Sequence, residues 1–149
     1  MKKIILVLLA LAACHAEDLH TWAGCGGGFS NPGVSGFCVL AVPVGNTAYS
    51  WTMHSVVPQH GKTPTTSTVT GAALPLRTFK AGKLSVDLVG LGAAGGSSSA
   101  TASTGSFAGG GGALIHREGS RQGLWLGGLQ NKTASGTKTQ ILLSWMVNW

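Results

Sequence analysis

The sequence is short of charge. Of its 149 residues, 9% are charged and only four are acidic. Beyond the first residues the bases are scattered: Lys62, Arg77, Lys80, Lys83, Arg117, Arg121, Lys132 and Lys138. No dense basic stripe with interleaved aromatics forms, which excludes nucleic acid as a partner. No apolar run after the N-terminal one is long enough for a transmembrane helix. The cysteines lack metal-ligand spacing. The histidines at 20, 54, 60 and 116 and the many serines show no recognisable catalytic spacing. The expectation is therefore a protein with no catalytic residues, no cofactor-binding residues and no metal, and not an enzyme.

Two glycine motifs need weighing. Gly90-Leu91-Gly92-Ala93-Ala94-Gly95 spells G-x-G-x-x-G after a strand-like run. A dinucleotide site needs a helix next and an acidic residue about twenty positions on. Here only small and polar residues follow, and Glu118 lies past another strand. Gly109-Gly110-Gly111-Gly112 lacks the Lys-Ser/Thr of a P-loop. Both runs fit strands that bend and pack closely. Disorder is disfavoured, because 44% of residues are apolar.

What is present is concentrated at the two ends. Met1-Lys2-Lys3, the apolar run from Ile4 to Ala13, and the small residues Ala12, Ala13, Cys14 and Ala16 form a three-part export signal. Residues 1–16 are read as a signal peptide and 17–149 as one domain. Loss of Lys2 and Lys3 lowers the net charge from +6 to about +4. Leu11-Ala12-Ala13-Cys14 also resembles a lipobox, the alternative in which Cys14 carries lipid. At the other end Ile141, Leu143, Trp145, Val147 and Trp149 are apolar at every second position. Period two places them on one face of a strand.

Turn signals divide the mature chain into eight strand-like segments at about 19–29, 36–44, 48–57, 67–79, 84–94, 107–116, 123–130 and 137–149. Pro58 to Thr65 and Gly95 to Ser106 read as loops. Tighter connections alternate with longer ones, as in transmembrane barrels with short periplasmic turns and longer outside loops. An even strand count then places both ends of the domain in the periplasm.

The stripe ending in Trp149 resembles the C-terminal β-signal of bacterial outer-membrane barrels. The eight-segment layout is similar to the OmpA transmembrane domain, OmpX and their relatives. That resemblance implies an all-β, eight-stranded antiparallel up-and-down transmembrane barrel in the bacterial outer membrane. It also implies lipid and lipopolysaccharide as surroundings, the barrel-assembly machinery as a partner in biogenesis, and a monomer. Ile141, Leu143, Trp145, Val147 and Trp149 would be the β-signal.

On this reading apolar side chains face lipid and polar ones the lumen. Tyr49, Trp51 and Met53 would point outward, with Ser50, Thr52 and His54 inward. Leu84, Val86 and Leu88 would point outward, with Ser85, Asp87 and Val89 inward. Trp22, Tyr49, Trp125, Trp145 and Trp149 would supply interfacial girdles. His54, Asp87, Arg77, His116 and Arg117 are candidates for a polar interior, with Arg77 the expected partner of Asp87. Cys25 and Cys38 fall opposite each other across the first turn, and an oxidising periplasm would allow a disulfide. Asn131-Lys132-Thr133 matches a glycosylation sequon, a weak signal in a bacterial envelope.

Eight strands leave an interior filled by side chains. The expected role is structural or surface interaction, not a general porin. One rival is an envelope enzyme acting on lipids, with His54, His116 or a nearby serine gathered at the rim. Another is a secreted or lipid-anchored soluble β-protein, with the stripe ending at Trp149 buried by a second sheet.

Overall fold

The computed structural model describes residues 19–149 apart from 31–32, 60, 99–102 and 134–135. The expected signal peptide, residues 1–16, and Cys14 within it lie outside the described residues. The chain forms β1 (Trp22–Ser30), β2 (Gly33–Val44), β3 (Ala48–Gln59), β4 (Lys62–Ala81), β5 (Leu84–Ser98), β6 (Ser103–Arg117), β7 (Gln122–Thr133) and β8 (Gly136–Asn148). Each strand pairs antiparallel with the next, and β8 pairs with β1 to close a barrel. Closure leaves no unpaired edge.

Register gives the barrel its stagger. From Trp22, successive partners are Ala41, Trp51, Gly71, Ala93, Ala108, Asn131 and then Lys138. Yet β1 meets β8 with Trp22 opposite Asn148, an offset of 10 residues. Such a stagger goes with strands inclined at roughly 35–45° to the barrel axis.

The strands run further than the turn signals implied. Pro58 to Thr65 and Gly95 to Ser106 were expected as loops, but β3 continues to Gln59, β4 begins at Lys62 and β5 continues to Ser98. No gap between consecutive strands exceeds 4 residues, so the expected long loops are largely strand. Threonine suits an extended backbone even without an apolar alternation. Pro58 sits where the β3–β4 register shifts, a place where a missing ladder N–H is tolerated. The G-x-G-x-x-G segment lies inside β5 and continues as strand.

The core is the lumen. Phe37, Trp51, Met53, Val69, Ala73, Ala93, Leu129 and Leu142 form its main buried cluster. Small residues set opposite large ones let a narrow barrel hold these side chains. On β1, Gly24, Gly26 and Gly28 face Met146, Ser144 and Leu142 of β8, and a Cβ at Gly24 or Gly26 would strike the β8 backbone. Trp125 lies across glycines, since a Cβ at Gly112 or Gly127 would come within 2.7 or 2.9 Å of its ring.

Candidate functional site

The outer wall is apolar over much of its circumference. Phe29, Val42, Phe79, Leu84, Leu126 and Ile141 are among its exposed large side chains. Along β8 and at the residue after it, the alternate residues Ile141, Leu143, Trp145, Val147 and Trp149 are 41–66% exposed, while Leu142, Ser144 and Met146 are buried. No second sheet covers this stripe among the described residues. Monomeric soluble proteins rarely expose a contiguous apolar surface this wide. The soluble reading required that stripe to be buried.

The expectation for β3 was inverted. Trp51 and Met53 are 4% and 3% exposed and point into the lumen, as Tyr49 does, while Ser50 and His54 are exposed outside. Trp51 fits because its partners are Ala41 and Gly71, and its indole Nε1 donates to the Ala72 carbonyl at 3.1 Å. The hydroxyls left outside satisfy one another across β3 and β4. Thr52 and Thr70 are 3.2 Å apart, and His54 Nδ1 lies 2.9 Å from Thr68 Oγ1. Of the expected aromatic girdle only Trp145 and Trp149 are on the outside; Trp22, Tyr49 and Trp125 belong to the interior.

The five candidates for a polar interior separate. Asp87 faces inward. His54 does not, and neither does Arg77, whose guanidinium lies on the exposed side, 4.9 Å over the Phe79 ring. The irregularity between Pro75 and Arg77 pairs Arg77 with Leu88 on the outer face and Thr78 with Asp87 on the inner one. The partners of Asp87 are therefore Thr78, whose hydroxyl donates at 2.7 Å, and His116, whose Nε2 is 2.8 Å away. Trp22 packs against the His116 ring at 5.7 Å. Arg117, next along β6, is exposed. No sequence spacing links Asp87 to His116, which are 29 positions apart; only the β5–β6 register brings them together.

Ser85 was not singled out for chemistry, yet it is 2% exposed and sits between Lys80 on β4 and His116 on β6. Lys80 pairs with Glu118 at 3.0 Å. These groups ring the barrel end where β1 starts and β8 finishes, and they form the mouth of a cavity of about 600 Å³. Its walls are mostly apolar: Phe37, Val39, Trp51, Met53, Leu91 and Leu142 among others. Among the described residues the charged groups of the lumen gather at the mouth, while deeper polar side chains are serines such as Ser35, Ser55 and Ser144. Cys25 and Cys38 oppose each other on β1 and β2 and are joined by a disulfide on the outer wall.

No protein-family model matches the chain, and no curated protein matches it in sequence. Among solved structures it is similar to the N-terminal β-barrel domain of OprF from Pseudomonas aeruginosa. The TM-score is 0.62 at 9% identity, covering 87% of this chain and 97% of that one. The shared feature is the fold: a closed, eight-stranded antiparallel barrel.

Proposed function

We propose that the chain is a monomeric bacterial outer-membrane barrel with a structural or surface-interaction role, and not a general porin. The observation that carries this reading is a closed barrel with an apolar outer wall. Closure pairs the backbone polar groups internally, the condition for a β-structure to sit in hydrocarbon. The N-terminal export signal and the β-signal-like stripe of β8 support delivery to the outer membrane by the barrel-assembly machinery, with lipid and lipopolysaccharide as surroundings. Buried Val69, Ala93 and Leu129 pack across the lumen, which argues against an aqueous channel. The short hairpin ends leave little loop for specific recognition and favour the structural role.

The envelope-enzyme reading has one observation in its favour: buried Ser85 stands opposite His116, which pairs with Asp87. It lacks the nucleophile–base contact that such chemistry uses, because no hydrogen bond joins Ser85 to His116.

Expression of the full chain in a bacterium with an outer membrane, followed by envelope fractionation and gels with and without boiling, tests the proposal. The expected result is an outer-membrane band that shifts on boiling. A soluble periplasmic protein with no shift contradicts it.

A further inference from the structure

The lumen carries much apolar surface below a mouth that holds charged groups. We infer that this cavity binds an anionic single-chain amphiphile, its acyl chain in the lumen and its acidic head at the mouth. Three observations point there.

The first is shape. Along β4 the lining runs from Lys80 to Ala73, roughly 20 Å of strand. The cavity ends among Phe37, Met53 and Leu142, with buried Val69 and Leu129 beyond it in the same cluster. A volume of about 600 Å³ falls within the usual range of small-molecule sites. A long, narrow, mostly apolar space closed at one end suits an unbranched chain better than a compact polar molecule.

The second is Ser85. Its side chain is 2% exposed, it lines the cavity, and its hydroxyl has no hydrogen-bond partner among the described residues. The other buried serines are satisfied: Ser35 donates to the Gly28 carbonyl, Ser55 pairs with Ser67, and Ser144 donates to the Trp145 carbonyl. A buried hydroxyl without a partner costs free energy. A ligand oxygen at the mouth would supply the missing acceptor.

The third is charge. Two carboxylate side chains line the mouth, and each has a partner: Asp87 has His116 and Thr78, and Glu118 has Lys80. Arg121 also lines the cavity and has no acidic partner among the described residues. Ser85, flanked by Lys80 and His116 with Arg121 nearby, offers donors to a carboxylate or a phosphate. The inference goes beyond the structural role and does not depend on where the barrel resides, because the cavity belongs to the fold itself.

The test uses the full chain in lipid nanodiscs and palmitic acid carrying a diazirine at its chain end. After irradiation, adducts are mapped by peptide mass spectrometry. Lipid-facing Leu143 and Trp145 serve as the reference for label that merely dissolves in the bilayer. We expect adducts at Phe37, Met53 or Leu142 as well. Val39→Trp, which fills the cavity, removes the lumen adducts and leaves the reference ones. Arg121→Ala and Ser85→Ala each lower lumen labelling about tenfold at limiting probe, the loss expected for a hydrogen bond to a charged group. Arg121 is exposed at the mouth, so its variant folds even if the filled barrel does not. Competition by unlabelled palmitate and by lysophosphatidic acid distinguishes a carboxylate from a phosphate head. Labelling confined to the outer wall overturns the inference, as does lumen labelling unchanged in both Val39→Trp and Arg121→Ala. The boiling shift of each sample reports barrel closure separately, so failure of the membrane proposal and failure of the ligand inference are told apart.

Discussion

Strands β3 and β8 both alternate, but the larger apolar set faces inward on β3 and outward on β8. On β8 the larger apolar set, from Ile141 to Trp149, is outside, over a smaller inward set of Leu142, Ser144 and Met146. On β3 the large apolar set, Tyr49, Trp51 and Met53, is inside, and hydroxyls and an imidazole are outside. A period of two says that faces differ; it does not say which face is in. That choice depends on the neighbours. β8 packs inward onto the glycines of β1, which lie too close to its backbone to admit bulk. Trp51 of β3 lies between Ala41 and Gly71, which leave room for an indole.

The largest effect should come from the inward face of β3. Trp51→Ala should lower the unfolding free energy by about 3–5 kcal/mol, the usual loss for a buried aromatic, read from urea titration in lipid vesicles. If Trp51 faced lipid instead, the loss would be much smaller. Next is the outward face of β8. Leu143→Arg should cost about 2–4 kcal/mol near the bilayer midplane. Thr52→Arg on the outer face of β3 should cost roughly 1 kcal/mol less, because threonine gives up less apolar contact. Equal costs would mean that the two outer faces see the same environment and that Thr52 already packs as an apolar residue does.

The disulfide lies on the outer wall between these two strands. Cys25 is beside Trp145 of β8, and Cys38 is beside His54 of β3. Cys25→Ser should cost about 2–3 kcal/mol. The same titration with and without reductant checks this: reductant should destabilise the parent and leave the variant unchanged. The smallest effect should be that of Thr52→Val with Thr70→Val. Removing both members of a hydroxyl pair facing lipid should be neutral or stabilise by up to about 1 kcal/mol. Destabilisation by more than that would show that the pair organises the β3–β4 contact.

The fold was legible where hydrophobic period and turn chemistry agreed. The β8 stripe and the Ser30–Gly33 turn marked strands and a register that sets Cys25 against Cys38. Length was not legible in β4 to β6, because Ser, Thr and Gly carry no apolar alternation and Pro58 and Pro64 read as breakers. The site was legible only in part. The alternation of Leu84, Val86 and Leu88 sets Asp87 on the opposite face of β5, and the cavity lining includes it. Its partner was not, because the β-irregularity after Pro75 turns Arg77 outward and Thr78 inward. Ser85 carried no motif at all; only the register of three strands places it between Lys80 and His116.

The central claim is that the barrel stands in lipid with β8's odd residues outward and β3's aromatic residues inward. Single-tryptophan variants reconstituted in vesicles of bromine-labelled lipid test it directly, one keeping Trp145 and the other Trp51, with the remaining tryptophans changed to phenylalanine. The account predicts strong quenching of Trp145 and weak quenching of Trp51. Equal quenching, or stronger quenching of Trp51, would contradict it.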